Sequence, residues 1–117
     1  MKEVEQFTAL KTEGDMAVIQ KTMDKIRSRG TIAILNHPVW SYMEPQDAAA
    51  WEGFTAIEVF NSGCETYSHT GYAGSFWDSL LRRGIRLWGI AADDTHNFFP
   101  FDDYRHEAFK GWIMVKA

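Results

Sequence analysis

Leu87-Trp88-Gly89-Ile90-Ala91-Ala92-Asp93-Asp94-Thr95-His96 is an apolar run that stops on two carboxylates and an imidazole. Two earlier stretches share that plan. Ile32-Ala33-Ile34-Leu35 leads into Asn36-His37-Pro38, and Ala56-Ile57-Glu58-Val59-Phe60 leads into Asn61. Short, nearly continuous apolar runs are what strands buried on both faces look like. Helical patterns lie between them, so the order is β, α, β, α, β. That alternation predicts an α/β fold with parallel strands and helical crossovers. In such a sheet the strands exit along one edge, and ligands and chemistry collect there. Imidazoles and carboxylates at three exits point to a divalent-metal site.

Working outward, Met16, Ile19, Met23 and Ile26 recur at helical spacing. Asp15 is placed to cap that helix, which is expected to run to about Arg29 with Gly30 as its C′ residue. Residues 1–14 are polar without a clean period and read as an arm. Pro45 opens a short helix ending near Gly53. Residues 61–74, with Gly63, Gly71 and Gly74, read as a long loop. Ser75 and Asp78 have capping-box spacing ahead of a helix that is expected to bury Phe76, Trp77, Leu80 and Leu81 and to end at Gly84. A second long loop, 93–110, precedes Gly111-Trp112-Ile113-Met114-Val115-Lys116-Ala117, which reads as a last strand. Long loops without structure of their own are uncommon and often functional. There is no internal repeat and no linker, so residues 1–117 form one domain.

The chain has 117 residues, 45% of them apolar, which is enough to bury a core. Its net charge is −4 and its basic residues do not cluster, which disfavours a nucleic-acid partner. Cys64 is the single cysteine, so no internal disulfide forms and a reducing, cytoplasmic setting is expected. No apolar run is long enough to cross a bilayer, so no membrane partner is expected.

Asp94 and His96 sit at i and i+2, which in extended backbone point the same way and could grip one ion. The alternative is a capped turn beside an exposed histidine, because short patterns are weak. His37 precedes proline, which holds it out of the α region and keeps the chain extended. A hydrogen-bonded structural histidine would look the same. Glu58 lies inside an apolar strand and needs a metal, a cation or a raised pKa. Arg82, Arg83 and Arg86 are possible partners, and a solvent-facing side is the other escape. Asn61 is placed to contact substrate or support a ligand, and Asp93 to orient a ligand histidine through its free ring N–H. His69 and His106 lie in the loops, where either could touch substrate or simply be exposed. Cys64 has no adjacent base in sequence and makes a poor nucleophile. Trp40, Tyr42 and Trp51 read as core or pocket-wall aromatics.

These stretches, together with Phe76-Trp77-Asp78-Ser79-Leu80-Leu81-Arg82-Arg83-Gly84 and the Gly111–Ala117 ending, resemble the PHP (polymerase and histidinol phosphatase) superfamily. The nearest branch by pattern is the CehA/McbA-like metallohydrolases, and residues 30–117 carry the likeness. The resemblance implies part of a distorted (β/α)7 barrel with zinc, manganese or iron at the strand C-termini. It implies that His37, Asp94 and His96 are metal ligands, and that Asp94 and His96 are the catalytic pair. A metal-activated water would attack a phosphoester or a related ester or carbamate. Members of that family begin with a His-x-His pair, and no histidine precedes His37 here. At about 30 residues per β/α unit, the chain amounts to about half a barrel. That predicts weak or absent turnover by this piece alone. It also predicts a homo-oligomer, or pairing with a separate first half. The competing expectation is a catalytically degenerate PHP-like module that binds a partner or a small anion.

Overall fold

A computed structural model describes residues 16–116. The arm over 1–14 and the Asp15 cap lie outside the described residues. Helix α1 spans Met16–Arg27, two residues shorter than expected, with Lys25 and Arg27 in its last turn where the dipole favours cations. Met23 is buried, and Gly30 takes φ 78° in the closing turn. Two reciprocal bonds tie α1 to the loop before the second strand. Gln20 Nε2 donates to the Glu52 carbonyl at 3.0 Å, and the Glu52 N–H donates to Gln20 Oε1 at 2.8 Å.

Strand β1 is only Ile34–Leu35, helix α2 is Pro45–Ala49 and strand β2 is Ala56–Asn61. Helix α3, Ser62–Ser68, comes next, followed by helix α4 over Gly74–Arg82 and strand β3 over Trp88–Ala92. The strands form one three-stranded sheet in the order β1-β2-β3, all parallel. The expected α/β alternation with parallel strands is present, and the sheet is open. Ile57 pairs with both Leu35 and Gly89, which fixes the register across all three strands. A bulge between Glu58 and Phe60 shifts the β2–β3 register just before the strand ends.

The core lies between one face of the sheet and helices α2 and α4. Leu35, Ala48, Ile57, Ala73, Phe76, Leu80 and Leu87 form it, with Val39, Met43, Phe54 and Trp77 packed around it. Only β2 is covered on both sides, and so only β2 behaves as the sequence predicts. β1 and β3 are edge strands. Ile32 is 66% exposed and Trp88 77% exposed, because nothing described lies beyond them.

Several expectations are corrected. The stretch 61–74 is not a plain loop, since it contains α3. Asn61 Oδ1 accepts from the Cys64 N–H at 2.9 Å and caps that helix, while Ser-Gly-Cys-Glu-Thr-Tyr-Ser has no apolar period to announce it. The capping box at Ser75 does not form. The helix starts two residues earlier, with Ala73 at the N-cap and no side-chain cap, and Asp78 pairs with Arg82 at 2.7 Å instead. Leu81 is exposed, not buried, while Tyr42 is exposed but lines a hollow with Val39, Met43 and Phe76. Residues 111–116 are not a strand. Trp112, Ile113, Met114 and Val115 are exposed and pair with no described strand. No helix among the described residues is long and apolar enough to cross a membrane.

Candidate functional site

The three strand exits and the loop after β3 bring most of the singled-out residues to one edge. On β2, Ile57 faces the helices, so the next side chain in the pleat, Glu58, faces the other way. Glu58 is 6% exposed. Its Oε2 accepts the His37 backbone N–H at 2.8 Å and the Asn61 amide at 3.0 Å. Its burial is thus met by hydrogen bonds, while Arg82, one of its expected partners, pairs with Asp78.

Asn61 is fully buried and uses its whole amide. Nδ2 donates to Glu58 Oε2 and, at 3.1 Å, to Asp94 Oδ2. Its oxygen caps α3. One amide therefore stands between two carboxylates and gives each a hydrogen-bond donor. Asn61, expected to contact substrate or support a ligand, is bonded here to Glu58, Asp94 and the start of α3.

The loop from 93 to 111 is closed by a reciprocal pair of carboxylates. Asp93, at its start, accepts backbone N–H groups from its end. Phe109 donates at 2.6 Å, Lys110 at 2.8 Å and Gly111 at 2.6 Å. Glu107, near its end, accepts the backbone N–H groups of His96 at 2.6 Å and Asn97 at 3.3 Å. Ser62 Oγ also donates to the Glu107 carbonyl at 3.1 Å. Gly111 fits only as glycine, since a Cβ there would lie 2.3 Å from the Ala92 carbonyl carbon. Gly63 serves the same loop from α3. Its N–H donates to the Asp93 carbonyl at 3.0 Å, and a Cβ would come within 2.9 Å of the Asp94 oxygen.

Asp93 is thus occupied by backbone, and it does not orient a ligand histidine. The His96 ring is oriented by another group. Its Nδ1 lies 2.8 Å from the Asp94 backbone carbonyl. A carbonyl only accepts, so that bond requires the Nδ1–H tautomer and leaves Nε2 as the free acceptor. Asp94 Oδ1 is 3.8 Å from the same Nδ1. The two side chains do meet, though not by strand alternation, because Asp94 has φ 51°. A turn brings them together. His37 departs likewise, with φ 29° where extended backbone is expected. Non-glycine residues at positive φ are uncommon, and such strain gathers at functional sites.

Trp40, Gly63, Cys64, Tyr67, Asp94 and His96 line a cavity of about 140 Å³. The His37 ring packs edge-on against Trp40 with centroids 5.1 Å apart, and its Nδ1 lies 3.0 Å from Ser41 Oγ. His69 ends α3 in left-handed conformation, exposed, 3.7 Å from Glu65 Oε1 and away from the cavity lining. Among the described residues no three His, Cys, Asp or Glu side chains are grouped to hold one ion. The donor chemistry of Asp94 and His96 fits a divalent cation, as two members of a larger ligand set.

Electrostatics follow from these contacts. Burial is the largest influence on Asp93 and pushes its carboxyl up. The three backbone N–H groups of Gly111, Phe109 and Lys110, aided by His106, outweigh it and hold the carboxyl below its ordinary value. Glu107 repeats the pattern. Burial pushes it up, and Tyr67, the His96 and Asn97 amides and the Asn97 side chain bring it below the ordinary value. Even so, Glu107 Oε1 is buried with no partner at hydrogen-bonding geometry. Burial, and then the Asp94 and Glu58 charges, push the Cys64 thiol up. That keeps it protonated and unreactive.

Glu107 escaped the sequence reading altogether. Its partners lie ten and eleven positions earlier in the chain, and no local pattern marks it. No protein-family model matches the chain, and neither a curated protein nor a solved structure does.

Proposed function

We propose that this chain carries the later part of a PHP-type metal-dependent hydrolase site, acting on a phosphoester or a related ester or carbamate. One observation carries the reading. Asp94 and His96 line a single cavity at the exit edge of a parallel sheet, and Asn61 links Asp94 to Glu58. The barrel, the metal and the substrate class come from the resemblance of residues 30–117.

In this reading Asp94 and His96 hold a zinc, manganese or iron ion through a carboxylate oxygen and Nε2. Such an ion supplies a water of lowered pKa and polarises the substrate. Asn61 keeps Asp94 aimed by donating to its Oδ2. Glu58 anchors the His37 backbone at the first exit. The third ligand that the resemblance implies, His37, has its ring turned to Ser41 and Trp40. A complete ligand set therefore needs that ring to turn, or donors from outside the described residues.

The test is metal content of the purified protein, measured beside a His96→Ala variant after equal exposure to zinc, manganese and iron. The expected outcome is bound metal in the parent and a clear loss in the variant. Equal stoichiometry in both would overturn the assignment.

The absence of a three-donor group among the described residues favours a second reading, a catalytically degenerate module that binds a partner or a small anion. Phosphate monoesters, diesters and carbamates assayed with each metal separate the two. The module reading requires no turnover under any metal.

A further inference from the structure

We infer that Glu107 is a positioning residue, which holds the His96 imidazole in the Nδ1–H form by fixing the backbone on which that ring sits. The inference rests on the reading of His96 as a ligand and adds a residue to it. Glu107 is 1% exposed. A carboxylate is almost never so buried without partners. Its partners are the consecutive N–H groups of His96 and Asn97. Those two amides define the plane from which the His96 side chain leaves. The imidazole then closes back on the carbonyl of Asp94, two residues earlier.

That internal bond is geometrically demanding. It needs the Asp94 carbonyl and the His96 Cα held in a tight turn, and Asp94 is already at positive φ. No helix or strand covers residues 93–111, so the turn is held by contacts from elsewhere, with Gly63 and Asn61 on its Asp93–Asp94 side. Glu107 secures it from outside, and Ser62 secures Glu107 in turn by binding its carbonyl. Since Nδ1 is occupied, Nε2 is the only ring nitrogen left to a ligand. The unpartnered Oε1 lies in the same neighbourhood as Tyr67, whose pKa is raised first by its interaction with Glu107. Tyr67 also lines the cavity. Glu107 thus stands behind two cavity residues while touching none of the space in front of them.

The experiment uses the full chain, metal-free, with ¹⁵N-labelled histidine. Long-range ¹H–¹⁵N spectra at fixed pH report the tautomer of each of the four histidines. His96 is expected as Nδ1–H in the parent. In Glu107→Leu, which removes the acceptor while filling the space, His96 should revert to a tautomer mixture, with His37 and His69 unmoved. Glu107→Gln keeps one acceptor oxygen and should restore the Nδ1–H form. Zinc affinity should fall roughly 10–100-fold in Glu107→Leu, as for other supporting residues of metal ligands. A folded Glu107→Leu with an unchanged His96 signal overturns the inference, as does an equal change at all four rings. If Glu107→Leu does not fold, Ser62→Ala decides. A partial shift confined to His96 supports the role and no shift refutes it. A parent that binds no zinc would end the metal reading, while the tautomer result would still stand or fall alone.

Discussion

Replacing Asp93 by asparagine tests whether the loop after β3 is held by charge. Asp93 receives three backbone N–H groups, all at 2.8 Å or less. Hydrogen bonds to a charged acceptor contribute roughly 1.5–3 kcal/mol each. Phe109 and Lys110 are exposed, so water can replace part of what they lose. Asparagine can keep its oxygen toward Lys110 and Gly111, but its NH₂ group then faces the Phe109 N–H. One bond is lost and two are weakened, for a net cost of about 2–3 kcal/mol. Urea unfolding followed by tryptophan fluorescence should show a lowered midpoint with an unchanged slope. The pH dependence carries the sharper signature. The Asp93 carboxyl lies below its ordinary value in the fold, with burial opposing and the three N–H groups prevailing. Its stabilisation is therefore complete above the unfolded pKa, near 4, and is lost as pH falls through the depressed folded value. The gap between parent and variant should narrow steadily as pH drops below about 4. A cost under about 0.5 kcal/mol, or a gap that does not change with pH, would refute the reasoning.

Gly111→Ala places a methyl group against the Ala92 backbone at 2.3 Å, where no side chain can give way. A loss of about 2–3 kcal/mol is expected, read from the same urea midpoints, and a near-neutral result would mean that this approach is not fixed. Self-association is expected from the uncovered edges and from the exposed Trp88, Trp112, Met114 and Val115, since unpaired strand edges invite pairing. Light scattering coupled to size-exclusion chromatography checks it, and a strict monomer across concentrations would count against it.

How far the sequence foretold the fold depends on which side of each element has company. β2 is central, and its apolar run was legible because every position in it meets protein. β1 has equally apolar residues, yet its regular pairing shrinks to Ile34–Leu35, while β3, also at an edge, pairs over Trp88–Ala92. The run from Trp112 to Val115 carries the strand pattern in full and is not a strand. Periodicity reports what a segment could bury and not whether a partner is in place. α3 fails in the opposite direction. It has no apolar period, and it exists because Asn61, buried for other reasons, is positioned to cap it.

That Asp94 and His96 lie close together was legible in the sequence, and the geometry that joins them was not. Asp94 and His96 were paired by strand alternation, while the structure pairs them through a left-handed turn that Glu107 secures from eleven residues away. This difference narrows the chemistry. Four carboxylates gather at the exit edge, and each is bound to protein through at least one oxygen. Asp93 is bound to the 109–111 backbone, Glu107 gives one oxygen to the His96 and Asn97 amides, and Glu58 holds the His37 N–H and Asn61. Asp93 has both oxygens engaged and would have to release bonds to take a ligand, at a cost per bond comparable to its stabilisation, while Glu58 and Glu107 bind through Oε2 and do not line the cavity. Asp94 is different. It lines the cavity, and among the described residues its Oδ2 is bound by Asn61 while Oδ1 stands 3.8 Å from the His96 ring, beyond hydrogen-bonding distance. His96 has likewise committed Nδ1 and kept Nε2. Asp94 Oδ1 and His96 Nε2 are therefore the uncommitted carboxylate and imidazole atoms on the residues that line the cavity, while Asp93 and Glu107 hold the loop that carries them.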